Sequence, residues 1–182
     1  MTRALLDACV LVPSILREIL IGAARAGAFT PVWSPRILEE WARAARRLSP
    51  DAEAVARVEI ALLRADWPRA EVAPDPAACA RVAGLSLPDP DDAHVIAAAL
   101  TARAETLLTF NLADFPNRAL TPLGLQPRDP DGFLTELTHA GFDMPAVIAP
   151  VRARAETIGG AARPVRALLR KAGLPRLGKL LG

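Results

Sequence analysis

Along the first 127 residues, short continuous apolar runs alternate with longer stretches whose apolar side chains recur every third or fourth position. The short runs are bounded by proline, glycine or charge, and they predict strands near 4–9, 29–33, 106–110 and 123–126. The longer stretches predict helices. Ser14 can cap one that carries Ile15, Leu16, Ile19, Leu20 and Ala23 as far as Gly27. Ser34–Pro35 pairs a cap with a first-turn proline and opens a second, Arg36 to Arg47, with Ile37, Leu38, Trp41 and Ala45 as its apolar stripe. Ser49–Pro50 repeats the signal for a third from Asp51 to Ala65, with Val55, Val58, Ala61 and Leu62 turned inward. A short helix fits between Pro74 and Gly84. Asp91 as cap and Asp92 in the first turn start an apolar helix that runs through Val95 and Leu100 to Ala104. Strands alternating with helices predict an α/β fold, a central parallel sheet flanked by helices.

The pattern changes at Arg128-Asp-Pro-Asp-Gly132, which reads as a boundary between residues 1–128 and a helical extension, 129–182. The extension predicts helices over Phe133–Ala140, Pro145–Ile158, Pro164–Ala172 and Pro175–Leu181, with a break at Gly159–Gly160.

Composition narrows the class. With 52% hydrophobic and 23% charged residues in 182, the chain is a folded protein rather than a disordered one. No apolar run approaches the ~20 residues that a membrane-crossing helix needs. Asp7 interrupts the first apolar run too early for a signal peptide, so a cytoplasmic location is expected. Cys9 and Cys79 match no metal spacing and read as small buried hydrophobes in a reducing compartment. The net charge of +2 hides an asymmetry: residues 145–182 carry eight basic side chains against Glu156 alone, leaving the body at −5. An acidic body with a basic tail suits a carboxylate site that must approach a polyanion, and equally a solvated face or an acidic partner.

Candidate chemistry begins at Asp7, because an aspartate inside an apolar run is costly unless it is paired, metal-bound or at the strand's end. In parallel sheets ligands sit beyond the carboxyl ends of the strands, where Asp7, Asn111 and Asp114 all fall. Glu39 or Glu40, and Asp92 at a helix start, can join them. Several carboxylates in one pocket repel unless cations neutralise them, and an all-oxygen set without Cys or His selects Mg²⁺ or Mn²⁺ over zinc. Such ions can activate water for phosphodiester hydrolysis. Other patterns fail. Gly173-Leu-Pro-Arg-Leu-Gly178-Lys179-Leu180 lacks the Ser or Thr of a phosphate-binding loop and no strand precedes it. His94 and His139 offer no nucleophile–base arrangement, and Cys9 has no histidine near it in sequence.

Four segments taken together resemble the PIN-domain ribonucleases of the VapC toxin type. They are Leu5-Leu-Asp7-Ala-Cys-Val-Leu11, Ser34-Pro-Arg-Ile-Leu-Glu-Glu40, Asp89-Pro-Asp-Asp92-Ala-His-Val-Ile-Ala-Ala-Ala99 and Leu107-Leu-Thr109-Phe-Asn111-Leu-Ala-Asp114-Phe115. The resemblance implies a parallel sheet between helices and a metal-dependent endoribonuclease silenced by a cognate antitoxin protein, in a family that often forms homodimers. Its metal-holding acids fall on Asp7, Glu40 (with Glu39 as the alternative), Asp92 and, at the fourth corner, Asp114 or Asn111. At that corner many relatives have Thr-Asn-Asp where this chain has Thr109-Phe110-Asn111. Thr109 is expected to support the scissile phosphate, and the basic tail to grip RNA. Residues 129–182 resemble an extension found on one branch of these toxins, through Phe133-Leu134 and Gly173-Leu-Pro175. The competing reading is a metal-free RNA- or protein-binding module that keeps the fold without catalysis; a DNA nuclease of related fold is a third.

Overall fold

The structure, a computed structural model, describes residues 1–182. Four short strands, β1 (Arg3–Leu6), β2 (Thr30–Val32), β3 (Thr106–Leu108) and β4 (Gln126–Arg128), form one sheet in the order β2-β1-β3-β4, with every pair parallel. Leu5 lies opposite Val32 on one side and Leu107 on the other, so the two inner strands are apolar on both faces. That explains the unbroken apolar runs: a parallel sheet covered by helices has no wet face to alternate with. Next to the end of β2, Trp33 pairs with Glu71 in an isolated parallel bridge.

Around the sheet run α1 (Ala8–Leu11), α2 (Ser14–Arg25), α3 (Pro35–Arg46), α4 (Pro50–Asp66), α5 (Pro76–Val82), α6 (Ala93–Thr101) and α7 (Asn117–Leu120). Ser34 and Ser49 cap α3 and α4 through the amides of Ile37 and Ala52, with proline in the first turn of each, as the sequence predicts. Three expectations fail. Ser14 is the first helical residue of α2 rather than its cap. In α4 the buried residues are Ala56, Ile60 and Leu63, while Val55, Val58 and Leu62 face outward. Cys79 is exposed on α5, not buried.

Beyond β4 come α8 (Pro130–His139), α9 (Met144–Gly159), α10 (Val165–Lys171) and α11 (Pro175–Leu181), close to the four helices predicted. One hydrophobic cluster runs through the junction at Arg128: Phe133 of α8 packs edge-on against Phe29, with ring centres 5.4 Å apart. Helix α9 lies so close to α2 that a Cβ on Gly22 would come within 2.9 Å of Val147 Cγ1. The pair α10–α11 is fastened to α8 by Asp131, a buried carboxylate that accepts hydrogen bonds from the amides of Arg176 and Leu177. No helix is long and apolar enough to cross a membrane.

Candidate functional site

Where β1 ends, the chain turns sharply and Asp7 becomes the N-cap of α1, its Oδ1 accepting from the Ala8 amide. The apolar run read as a single strand is therefore a strand plus a helical turn, hinged on its one charged residue. Two side chains converge on Asp7. Thr109, at the end of β3, donates its hydroxyl to Asp7 Oδ2 at 2.7 Å, and the Cys9 thiol donates to the same oxygen at 3.2 Å. The Asn111 amide in turn donates to Thr109 Oγ1, and the Phe110 amide donates to Cys9 Sγ. Cys9 is the member that sequence reasoning missed, having assigned it an apolar role. Burial pushes its thiol up to about 12, and the charge of Asp7 adds to this. It is a proton-bearing donor to Asp7, not a nucleophile.

Asp92 sits at the start of α6. Its approach differs from the expected one: Asp89, not Asp91, is the local cap, accepting from the Asp91 amide at the head of the 3₁₀ turn Pro90–Asp92. Asp92 makes no capping bond. Its carboxyl is raised to about 6, first by partial burial and then by the charges of Asp7, Asp89 and Asp114, with His94 opposing. Asp7, Asp92 and Asp114 thus share one electrostatic neighbourhood, which the sequence anticipates only from strand ends and helix starts.

The two glutamates of α3 separate cleanly. Glu39 turns to α4, pairing with Arg57 at 3.2 Å and with Arg43. Glu40 turns to α6, where His94 Nε2 lies 3.0 Å from its carboxylate and Arg36 3.1 Å. Burial works to raise the Glu40 carboxyl, but the hydrogen bonds and charges of His94 and Arg36 outweigh it and hold the group below its usual range. His94 Nδ1 is enclosed without a partner. Of the pair, Glu40 is therefore the one on the Asp92 side.

Asn111 is exposed, and only its backbone is engaged, accepting from the Asp114 amide as well as donating to Thr109. Thr109 is fully enclosed, with its hydroxyl committed to Asp7, so the expected phosphate contact is replaced by an internal one. No three His, Cys, Asp or Glu side chains stand close enough to hold an ion as they are placed. The donor set nevertheless suits a hard cation: carboxylates, all of oxygen, with an uncapped Asp92 that feels the charges of Asp7 and Asp114.

A family model of the PIN domain matches residues 3–113. The chain belongs to the PIN-domain family. The matched span contains β1 to β3 with Asp7, Glu40, Asp92, Thr109 and Asn111, and stops one residue short of Asp114. Over 45 residues, this PIN-domain chain is 47% identical to a Mycobacterium tuberculosis protein named "Putative ribonuclease VapC50". The alignment spans 25% of this chain and 27% of that one, so the chain covers about a quarter of the length of the curated relative. No solved structure matches the PIN-domain chain.

Proposed function

We propose that the chain is an Mg²⁺- or Mn²⁺-dependent endoribonuclease that hydrolyses RNA phosphodiester bonds in the cytoplasm and is the toxin of a toxin–antitoxin pair. The observation that carries this reading is Asp92, a carboxyl uncapped at the start of α6 and raised to about 6 by burial, Asp7, Asp89 and Asp114. The family match, and the printed name of the partial relative, support the choice of a ribonuclease.

In this reading Asp7, Glu40, Asp92 and Asp114 hold the metal, and Asn111 offers an amide carbonyl at the exposed corner. A bound divalent cation supplies an activated water and stabilises the leaving oxygen. The chain's own contribution is to fix the acids. The Ala8 amide, Thr109 and Cys9 lock both oxygens of Asp7, while His94 and Arg36 restrain Glu40. Thr109 is accordingly a positioning residue. An antitoxin has a docking surface available in the outward apolar residues Val55, Val58 and Leu62 of α4.

The test is cleavage of a structured RNA with Mg²⁺ or Mn²⁺, with and without EDTA. Asp7→Asn and Asp92→Asn are expected to reduce cutting to background, and equal cutting by either variant would sink the assignment. One observation favours the binding-module reading: residue 111 is an exposed Asn where many relatives of the resembled type carry an acid. Calorimetry separates the two, since metal-independent RNA binding with no Mn²⁺ uptake would support the module.

A further inference from the structure

The basic side chains of the C-terminal helices fall into two groups. Arg152, Arg154 and Arg176 are paired, with Glu156, Glu18, and Asp129 and Asp131. Arg163, Arg166, Arg170, Lys171 and Lys179 form no ion pair. Three of these free cations, Arg163, Arg170 and Lys171, line one concavity of about 450 Å³ together with Pro164, Ala167 and Leu168, and no acid lines it. Arg170 and Lys171 lie three and four residues beyond Ala167 on α10, one helical turn away, and Arg163 comes from the turn that leads into the helix. Like charges gathered without a counter-ion favour a polyanionic ligand.

Position decides which polyanion. Two residues after Lys171 comes Gly173, with φ +79°, where a Cβ would lie 3.0 Å from Phe110 Cζ. Phe110 follows Thr109, whose hydroxyl holds Asp7. The chain from Lys171 to Gly173, the contact of Gly173 with Phe110, and the bond from Thr109 to Asp7 therefore link the cationic concavity to the acidic pocket. Between them Phe110 and Leu112 are each 41% exposed. Free cations just before Gly173 and an exposed aromatic ring packed against it supply the two ingredients of single-strand recognition, one for phosphates and one for a base face. Arginine adds a planar fork matched to phosphate oxygens.

We infer that α10 and the turn before it carry a phosphate-backbone subsite. Arg163, Arg170 and Lys171 hold phosphates of a single-stranded RNA segment that extends from the acidic pocket, and Phe110 stacks on a base between the two. The inference rests on the nuclease reading for what happens at the other end of the strand, and its test is built to fail separately.

The probe is a fluorescein-labelled single-stranded RNA of roughly 20 nucleotides, bound to the full chain carrying Asp92→Asn and followed by anisotropy over a salt series. Adding Arg163→Gln, Arg170→Gln and Lys171→Gln is expected to weaken binding at least tenfold at ~50 mM salt. It should also reduce the slope of log K against log salt by about 2, at ~0.7 per single-strand phosphate contact. The exposed pair Arg170→Gln and Lys171→Gln, which leaves the half-buried Arg163 in place, should reduce the slope by about 1.4. Unchanged slopes overturn the subsite, and so does displacement of the RNA by polyglutamate of matched charge, which would mark a general acid-binding face. In the Asp92-containing chain the same substitutions should raise KM with kcat retained. Cutting that survives Asp7→Asn while the slope still drops would refute the nuclease and keep the subsite. Cutting that needs Asp7 with an unchanged slope would refute the subsite alone.

Discussion

Replacing Asp92 by asparagine removes a charge that burial, Asp7, Asp89 and Asp114 all disfavour. The folded carboxyl, at about 6 against an ordinary 3.8, binds its proton more tightly than the unfolded one. Its contribution to stability is therefore complete below pH ~4 and is lost as pH rises through 6, leaving a net cost at pH 7. The shift is discounted because the group is open to solvent on one side, which leaves about 1 kcal/mol. Metal-free Asp92→Asn should melt about 2–4 °C higher than the parent at pH 7, with little difference at pH 4, by calorimetry. A lower melting point at pH 7 would contradict the repulsion described. At this scale the sequence shows the acids well, because an aspartate inside an apolar run needs a reason to be there. It does not show their partners. The Cys9 thiol reaches Asp7 Oδ2 only because the chain turns into α1 at Asp7, where the pattern predicts a continuing strand, and Thr109 reaches it only because β1 and β3 are neighbours. Glu39 and Glu40 could not be told apart either, until α4 supplied Arg57 to one and α6 supplied His94 to the other.

Helix α4 shows where periodicity misleads. Val55, Val58, Ile60, Ala61, Leu62 and Leu63 cover most of its circumference, so two stripes compete and the pattern alone cannot choose. Packing against the core selects Ala56, Ile60 and Leu63, and the stripe expected to be inside is left in water. Substitutions should divide accordingly. Ile60→Ala is expected to cost about 2–4 kcal/mol in denaturant unfolding, whereas Leu62→Gln should stay within roughly 0.5 kcal/mol. A large loss for Leu62→Gln in the isolated chain would mean that the outer stripe is already covered. A cap and a first-turn proline mark where α3 and α4 both begin, but only α3 has a single apolar stripe, Ile37, Leu38, Trp41 and Ala45, and all four are buried.

Across the whole molecule, the polar segment Arg128–Gly132 reads in sequence as a boundary, with two aspartates in it. In the structure the core passes beneath it, from Phe29 to Phe133, and both aspartates act as caps: Asp129 on its own helix, Asp131 on a distant one. The charge asymmetry survives folding, but only partly as free charge, since Arg152, Arg154 and Arg176 are already paired. The Asp131 contact has a consequence for how the last helix comes to exist. Helix α11 has seven residues, too few to nucleate by itself, because its first turn must be ordered before any bond rewards it. By presenting both oxygens to the amides of Arg176 and Leu177, Asp131 supplies that first turn from 45 positions upstream. With Asp131→Ala, amide hydrogens in α11 should exchange with solvent at least tenfold faster while those of β1 and β3 keep their protection. Helicity at the end of the chain is then a property lent by α8.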